Sequence, residues 1–135
     1  MKSNKLEDMS YKQLVKILDA LMAEYIKKKY EIKPGLSQCY TCKKRLPTSE
    51  VQIGHYIPRR YHITRFDERN VRPQCAGCNG FRSGSWLKFR YYLTEEIGEE
   101  EVKDLETKAL MYGEKHAIKE WLSYEINRYR EMNNR

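Results

Sequence analysis

Two cysteine pairs, Cys39-x-x-Cys42 and Cys75-x-x-Cys78, have the ligand spacing of a four-thiolate zinc site. Four thiolates fill a tetrahedron and leave no place for water, so an ion held this way is structural. Redox pairs and plain free thiols share the spacing. The N-terminal MKSNKLEDMS has no apolar leader, however, and four cysteines in a reducing compartment favour metal over disulfides. His55 and Asn70 lie between the pairs, and Asn79 follows Cys78 directly. A histidine titrates near neutrality and can serve as a general base, while an amide oxygen suits a hard ion such as Mg²⁺. Hydrolysis of a phosphodiester needs a base for the water, a cation on the phosphate oxygens and leaving group, and positive groups to hold the strand. The set points to a metal-dependent nuclease built on a zinc platform.

The charge distribution agrees with that chemistry. The chain of 135 residues carries a formal net charge of +7, with a sequence pI of about 9.2. A basic domain has an anionic partner, most commonly nucleic acid. Between His55 and Arg90 stand Arg59, Arg60, Arg65, Arg69, Arg72, Arg82, Lys88 and Arg90, opposed only by Asp67 and Glu68. Arg59, Arg60 and Arg65 are the expected phosphate contacts, because a planar guanidinium matches phosphate oxygens bidentately; Arg82 is a further candidate. No apolar run approaches membrane-spanning length, so no membrane partner is expected.

Elements that must position these residues can be read from periodicity. Ser10-x-x-Gln13 is a capping box, and Leu14, Val15, Ile17, Leu18, Leu21, Met22, Tyr25 and Ile26 recur at helical spacing behind it. This predicts a helix over 11–30, ended by Pro34-Gly35. Val51-Gln-Ile53 and Val71-Arg-Pro-Gln74 read as short strands, residues 56–69 as a loop, and a short helix is expected from Ala76. Ser85 is a possible cap for a helix placing Trp86, Phe89 and Leu93 on one face and stopping at Gly98. Trp86, Phe89, Tyr91 and Tyr92 are assigned to the core in preference to a base-stacking platform. A helix over 99–111 and a last helix from Glu114 to about Met132, with Ile118, Leu122, Ile126 and Tyr129 inward, complete the chain. The expectation is one domain over 1–135: an N-terminal helix at 11–30, a zinc-bound core at 36–84 and a helical part at 85–135.

The order Cys-x2-Cys, Gly-His-Tyr, Thr-Arg-Phe-Asp-Glu-Arg-Asn-Val, Gln-Cys-x2-Cys-Asn and Ser-Gly, over residues 38–93, resembles the NinG/Rap recombination endonucleases of lambdoid and related phages. These belong to the wider HNH (ββα-metal) nucleases. The resemblance implies a mainly α fold with long terminal helices around a small ββα-metal core containing Zn²⁺. It implies an endonuclease that cuts branched DNA such as Holliday junctions and D-loops with Mg²⁺ or Mn²⁺, in the cytoplasm of a bacterial host cell. His55 is then the base, Asn79 a ligand of the catalytic ion, and Asn70 a brace that hydrogen-bonds the loop and orients the histidine. One departure stands out: many HNH sites carry Asp or His just before the base, where this chain has Gly54. Asp67 or Glu68 is a candidate second carboxylate, unless engaged by Arg65 or Arg69, and His62 is a nearby candidate. A junction has two-fold symmetry, so a homodimer is expected, with the first and last helices as its interface. An HNH enzyme that nicks or cuts duplex, and a non-catalytic zinc-knuckle DNA-binding protein, remain as alternatives.

Overall fold

The computed structural model describes residues 5–81 and 85–135. The chain is mostly helical, with two small antiparallel sheets. Helix α1 (Tyr11–Lys29) starts on the expected capping box: Gln13 N–H donates to Ser10 Oγ (3.1 Å) and Ser10 N–H to Gln13 Oε1 (2.8 Å). It buries Leu14, Leu18, Met22 and Ile26, one residue per turn. Strands β1 (Leu36–Gln38) and β2 (Arg45–Pro47) form a hairpin. Strands β3 (Gln52–His55) and β4 (Val71–Gln74) form the second sheet, pairing Gly54 with Arg72 and His55 with Val71. A π-helical turn covers Gly77–Phe81. Three helices follow: α3 (Trp86–Ile97), α4 (Glu99–Tyr112) and α5 (Lys119–Asn133), with the one-turn α2 (His62–Arg65) lying earlier between β3 and β4.

The main core lies between α1 and α5. Leu14, Leu18, Met22 and Ile26 meet Leu122, Ile126 and Tyr129, with Phe66, Val71 and Ala117 filling in. The first and last helices, expected as a dimer interface, therefore pair their apolar stripes with each other inside the chain. An amphipathic helix has one such face, and here each covers the other. A second core joins Phe89 and Leu93 of α3 to Val102 of α4. Gly98 links those helices as a single residue at φ 94°, a backbone conformation that favours glycine. Arg90 clamps the hairpin, donating to Glu106 (Nε, 2.7 Å) and Glu99 (Nη2, 3.2 Å).

Several local expectations are corrected. Residues 56–69 are not all loop: they carry α2 and a 3₁₀ turn at Glu68–Asn70, because Asp67 accepts from Arg69 N–H as a cap. The last helix starts at Lys119 rather than Glu114, and Ile118 is 70% exposed just ahead of it. Ser85 precedes α3 at φ 51° and makes no capping bond with its side chain. Phe89 and Leu93 are buried, but Trp86 and Tyr91, assigned to the core by sequence, are exposed. No helix of the described residues is long and apolar enough to cross a membrane.

Truncation of Leu18, fully buried between α1 and α5, is expected to cost about 2–5 kcal/mol. Leu18→Ala should lower the urea midpoint accordingly, whereas Ala20→Ser, on the exposed face of α1, should leave it nearly unchanged.

Candidate active site beside a four-cysteine cluster

The sulfurs of Cys39, Cys42, Cys75 and Cys78 lie within 4.8 Å of one another. Cys39 and Cys42 sit in the turn of the β1–β2 hairpin, where Lys43 takes φ 69° and Cys39 N–H donates to Lys44 O (2.8 Å). Cys75 follows β4 directly, and Tyr40 N–H donates to Pro73 O (2.9 Å), stitching the hairpin to that strand. Each pair has the knuckle geometry: Cys42 N–H points at Cys39 Sγ (3.5 Å) and Cys78 N–H at Cys75 Sγ (3.4 Å). Four sulfurs at about 2.3 Å from one tetrahedral ion stand about 3.8 Å apart, and Cys42 Sγ and Cys75 Sγ are 3.8 Å apart. That is far outside disulfide length. The donor set fits a soft tetrahedral ion such as Zn²⁺. The thiols also titrate apart. Burial works against ionisation of Cys39, but the Cys42 N–H and the Thr41 hydroxyl outweigh it and bring the group down to about 6; burial and the neighbouring sulfurs push Cys42 up to about 12. A cation at the centre removes that conflict by stabilising all four thiolates.

This cluster fixes what lies beside it. Asn79 follows Cys78 in the π-helical turn, with its N–H on Cys75 O (3.0 Å). Its side-chain amide donates to Gln52 Oε1 (2.9 Å), which engages the nitrogen and leaves the oxygen as the donor for an ion. His55 ends β3. Its ring is held neutral: burial, with the Arg59 and Arg65 guanidiniums nearby, lowers its pKa to about 3, against an opposing backbone hydrogen bond to Arg65. Asn70 is fully buried and binds the segment that follows His55. Its Oδ1 accepts from Ile57 N–H (2.8 Å), and its Nδ2 donates to Ile57 O and Thr64 O (both 3.1 Å). The segment leaving the histidine therefore has one path.

Two cavities meet at His55. One, of about 500 Å³, is lined by Ile53, His55, Tyr56, Arg59, Asn79 and Trp86 among others. The other, of about 540 Å³, runs along α1 past Lys16 and Lys27 and shares Ile53, His55, Arg59 and Asn79. The result is one cleft open on both sides of the histidine. Lys16, Lys27, Gln52 and Trp86 are its unforeseen members. The lysines repeat at helical spacing on one face of α1, but nothing in the sequence says which face meets the β3 end.

The expected phosphate contacts separate. Arg59 lines both wings of the cleft and makes no ion pair among the described residues. Arg60 is exposed, 3.6 Å from Glu114. Arg65 reaches the cleft but turns its fork onto Asp19, with Nε 3.1 Å from Oδ1, and so ties α2 to α1. Arg82 lies outside the described residues. The candidate carboxylates are engaged elsewhere. Asp67 receives the Arg69 fork (Nε 3.0 Å, Nη2 2.7 Å), and Glu68 accepts from Lys29 (2.6 Å). Both line a different cavity, with Phe66 and Trp121, so neither stands with Asn79. His62 is bonded to the Tyr11 hydroxyl (3.0 Å), also away from the cleft. Gly54 has a steric cause: a Cβ there would come within 1.8 Å of Gln74 Oε1, and buried Gln74 donates to Thr41 Oγ1 (2.9 Å) beside the cysteines.

A family model described as "Bacteriophage Lambda NinG protein" matches residues 1–134. Among similar curated proteins, Protein ninG of Escherichia phage 933W is 36% identical over 70 residues, covering 51% of this chain and 34% of that protein. Protein ninG of Salmonella phage P22 gives the same figures, and that of Escherichia phage lambda is 34% identical over the same coverage. The match thus spans about a third of the length of these relatives. No solved structure matches. With its family model matched along nearly the whole length, the chain belongs to the bacteriophage lambda NinG protein family.

Proposed function

We propose that this protein is a metal-dependent DNA endonuclease of the HNH type, selective for branched DNA and working as a homodimer in phage recombination. The observation that carries the reading is the convergence of His55 and Asn79, from the end of β3 and from the turn behind Cys78, on one cleft flanked by Arg59. β3, β4 and the following helical turn supply the strand–strand–helix order such a site needs, and Zn²⁺ on the four cysteines holds the turn. The resemblance in residues 38–93 supports branched DNA as the substrate. A dimer must use faces other than the apolar stripes of α1 and α5, which are already paired.

In this reading Asn79, oriented by Gln52, would hold Mg²⁺ or Mn²⁺, which when bound would supply positive charge to the phosphate oxygens and the leaving group. Gly54 offers no side-chain ligand. His55 takes a proton from the attacking water at a ring nitrogen. The low affinity of the free ring for that proton has its cause in burial and two guanidiniums. An entering phosphate brings the opposite charge, offsets Arg59 and Arg65, and raises His55 toward the range where a base works well. Arg59 binds the phosphate, and Asn70 keeps the segment after His55 from moving as the substrate enters. Lys16 and Lys27, eleven residues apart on α1, stand about 16 Å from each other along the helix, too far for adjacent phosphates, and hold separate phosphates of the strand.

Four outcomes are expected. Purified protein with Mg²⁺ or Mn²⁺ should cut a labelled four-way junction near the branch and cut the matched linear duplex less. His55→Ala should lose about 10²–10⁴-fold in rate while still binding the junction. Binding without cleavage by the wild type would instead favour a non-catalytic DNA-binding protein. Replacing both Lys16 and Lys27 with alanine should make the log–log salt slope of duplex binding shallower by about 2, and an unchanged slope removes α1 from the DNA path. Cys42→Ser should lower bound zinc and the melting temperature together; normal zinc content in that variant would count against the four-thiolate site.

A further inference from the structure

Trp86 begins α3 and is 55% exposed, although the same helix buries Phe89 and Leu93 completely. It makes no hydrogen bond and no ring contact among the described residues. Tyr40 and Tyr56, not Trp86, pack the Phe89 ring. The indole stands instead on the wall of the His55 cleft, with Arg59 and Asn79 lining the same cavity.

An indole left uncovered beside a cationic cleft matches a ligand that is flat and aromatic on one side and anionic on the other. A nucleotide has that chemistry. Within continuous duplex the faces of the bases are covered by their neighbours. Only an unpaired base, at a branch point or in a single strand, offers its face to an aromatic side chain. We infer that Trp86 stacks on an unpaired nucleobase of the strand in the cleft, and that this contact selects branched or single-stranded DNA over continuous duplex. Trp86 is in this view a specificity residue that acts through position and touches none of the reacting atoms. The placement of that base next to the scissile phosphate rests on the proposed nuclease reading; the stacking contact does not.

The chain has two tryptophans, Trp86 and Trp121, and Trp121 lines the separate cavity with Phe66. Trp121→Phe therefore leaves Trp86 as the sole indole reporter. Titrated without added Mg²⁺, an oligothymidine of about eight nucleotides should quench its emission saturably, and a blunt hairpin duplex should not. On cleavage, Trp86→Ala should reduce the junction-to-duplex rate ratio about tenfold, a size typical of one base–aromatic stack. Trp86→Phe should recover most of it. The proposal fails if the oligonucleotide leaves the emission unchanged. It also fails if Trp86→Ala lowers both rates equally without rescue by phenylalanine, which would mean a purely structural role. Saturable quenching by a wild type that cuts neither substrate would support the stacking site and overturn the nuclease reading alone.

Discussion

The convergence of four cysteine sulfurs is the constraint on which the small-sheet region depends. Its buried apolar cluster consists of Cys39, Leu46, Val51, Cys75 and Cys78. Three of these five are cysteines, so Leu46 and Val51 alone cannot bury enough surface to fix two short sheets against each other. Beyond the apolar groups, the hairpin turn is tied to β4 by the Tyr40 N–H on Pro73 O and by Gln74 on Thr41, and the four sulfurs converge at the same junction. The consequence reaches beyond the cluster itself. The turn that carries Asn79 starts from Cys75 and Cys78, and β4 sets the register of β3, whose last residue is His55. Both candidate catalytic groups thus inherit their positions from the sulfur geometry.

A second level of organisation consists of charges used inside the fold. Arg72 is 2% exposed, donates to Glu68 O (2.9 Å) and Glu96 (3.1 Å), and lies against the rings of Tyr30 and Tyr40. Glu96 also accepts from both tyrosine hydroxyls, at 2.7 and 2.6 Å, so one carboxylate joins the end of α1, the first knuckle, β4 and α3. Arg69 holds Asp67, Glu101 and Asp104, and Arg90 holds the α3–α4 hairpin. The acidic stretch at 95–106 therefore pairs with arginines that composition alone assigns to DNA. Among the described residues, the cations facing the cleft without an ion pair, Arg59, Lys16 and Lys27, are fewer than net charge suggests and come partly from another element.

Patterns governed by local chemistry were legible in the sequence. The capping box fixed the start of α1, and the short segments at 51–53 and 71–74 read as strands, which correspond to β3 and β4. The cysteine spacing anticipated a cluster; Asn79 adjoins it in sequence, whereas His55 reaches Asn79 through the pairing of β3 with β4. Features set by tertiary packing were not legible. Trp86 has the composition of a core residue, and only the orientation of α3 leaves it in the cleft. Ile118 fits the helical period of α5, yet the helix begins after it. Asp67 sits near the site in sequence, but a cap and an arginine fork turn it to the opposite face. The role of α1 as a cleft wall depends on its rotation about its own axis, which the α5 contact decides.

Gly54 carries an implication about sequence variation. The space a side chain would need there is occupied by Gln74, which in turn bonds the threonine between the first two cysteines. Positions 54 and 74 are therefore sterically coupled across the β3–β4 ladder. A carboxylate or imidazole placed ahead of His55 would have to displace the Gln74 side chain, and with it the bond that braces the first knuckle.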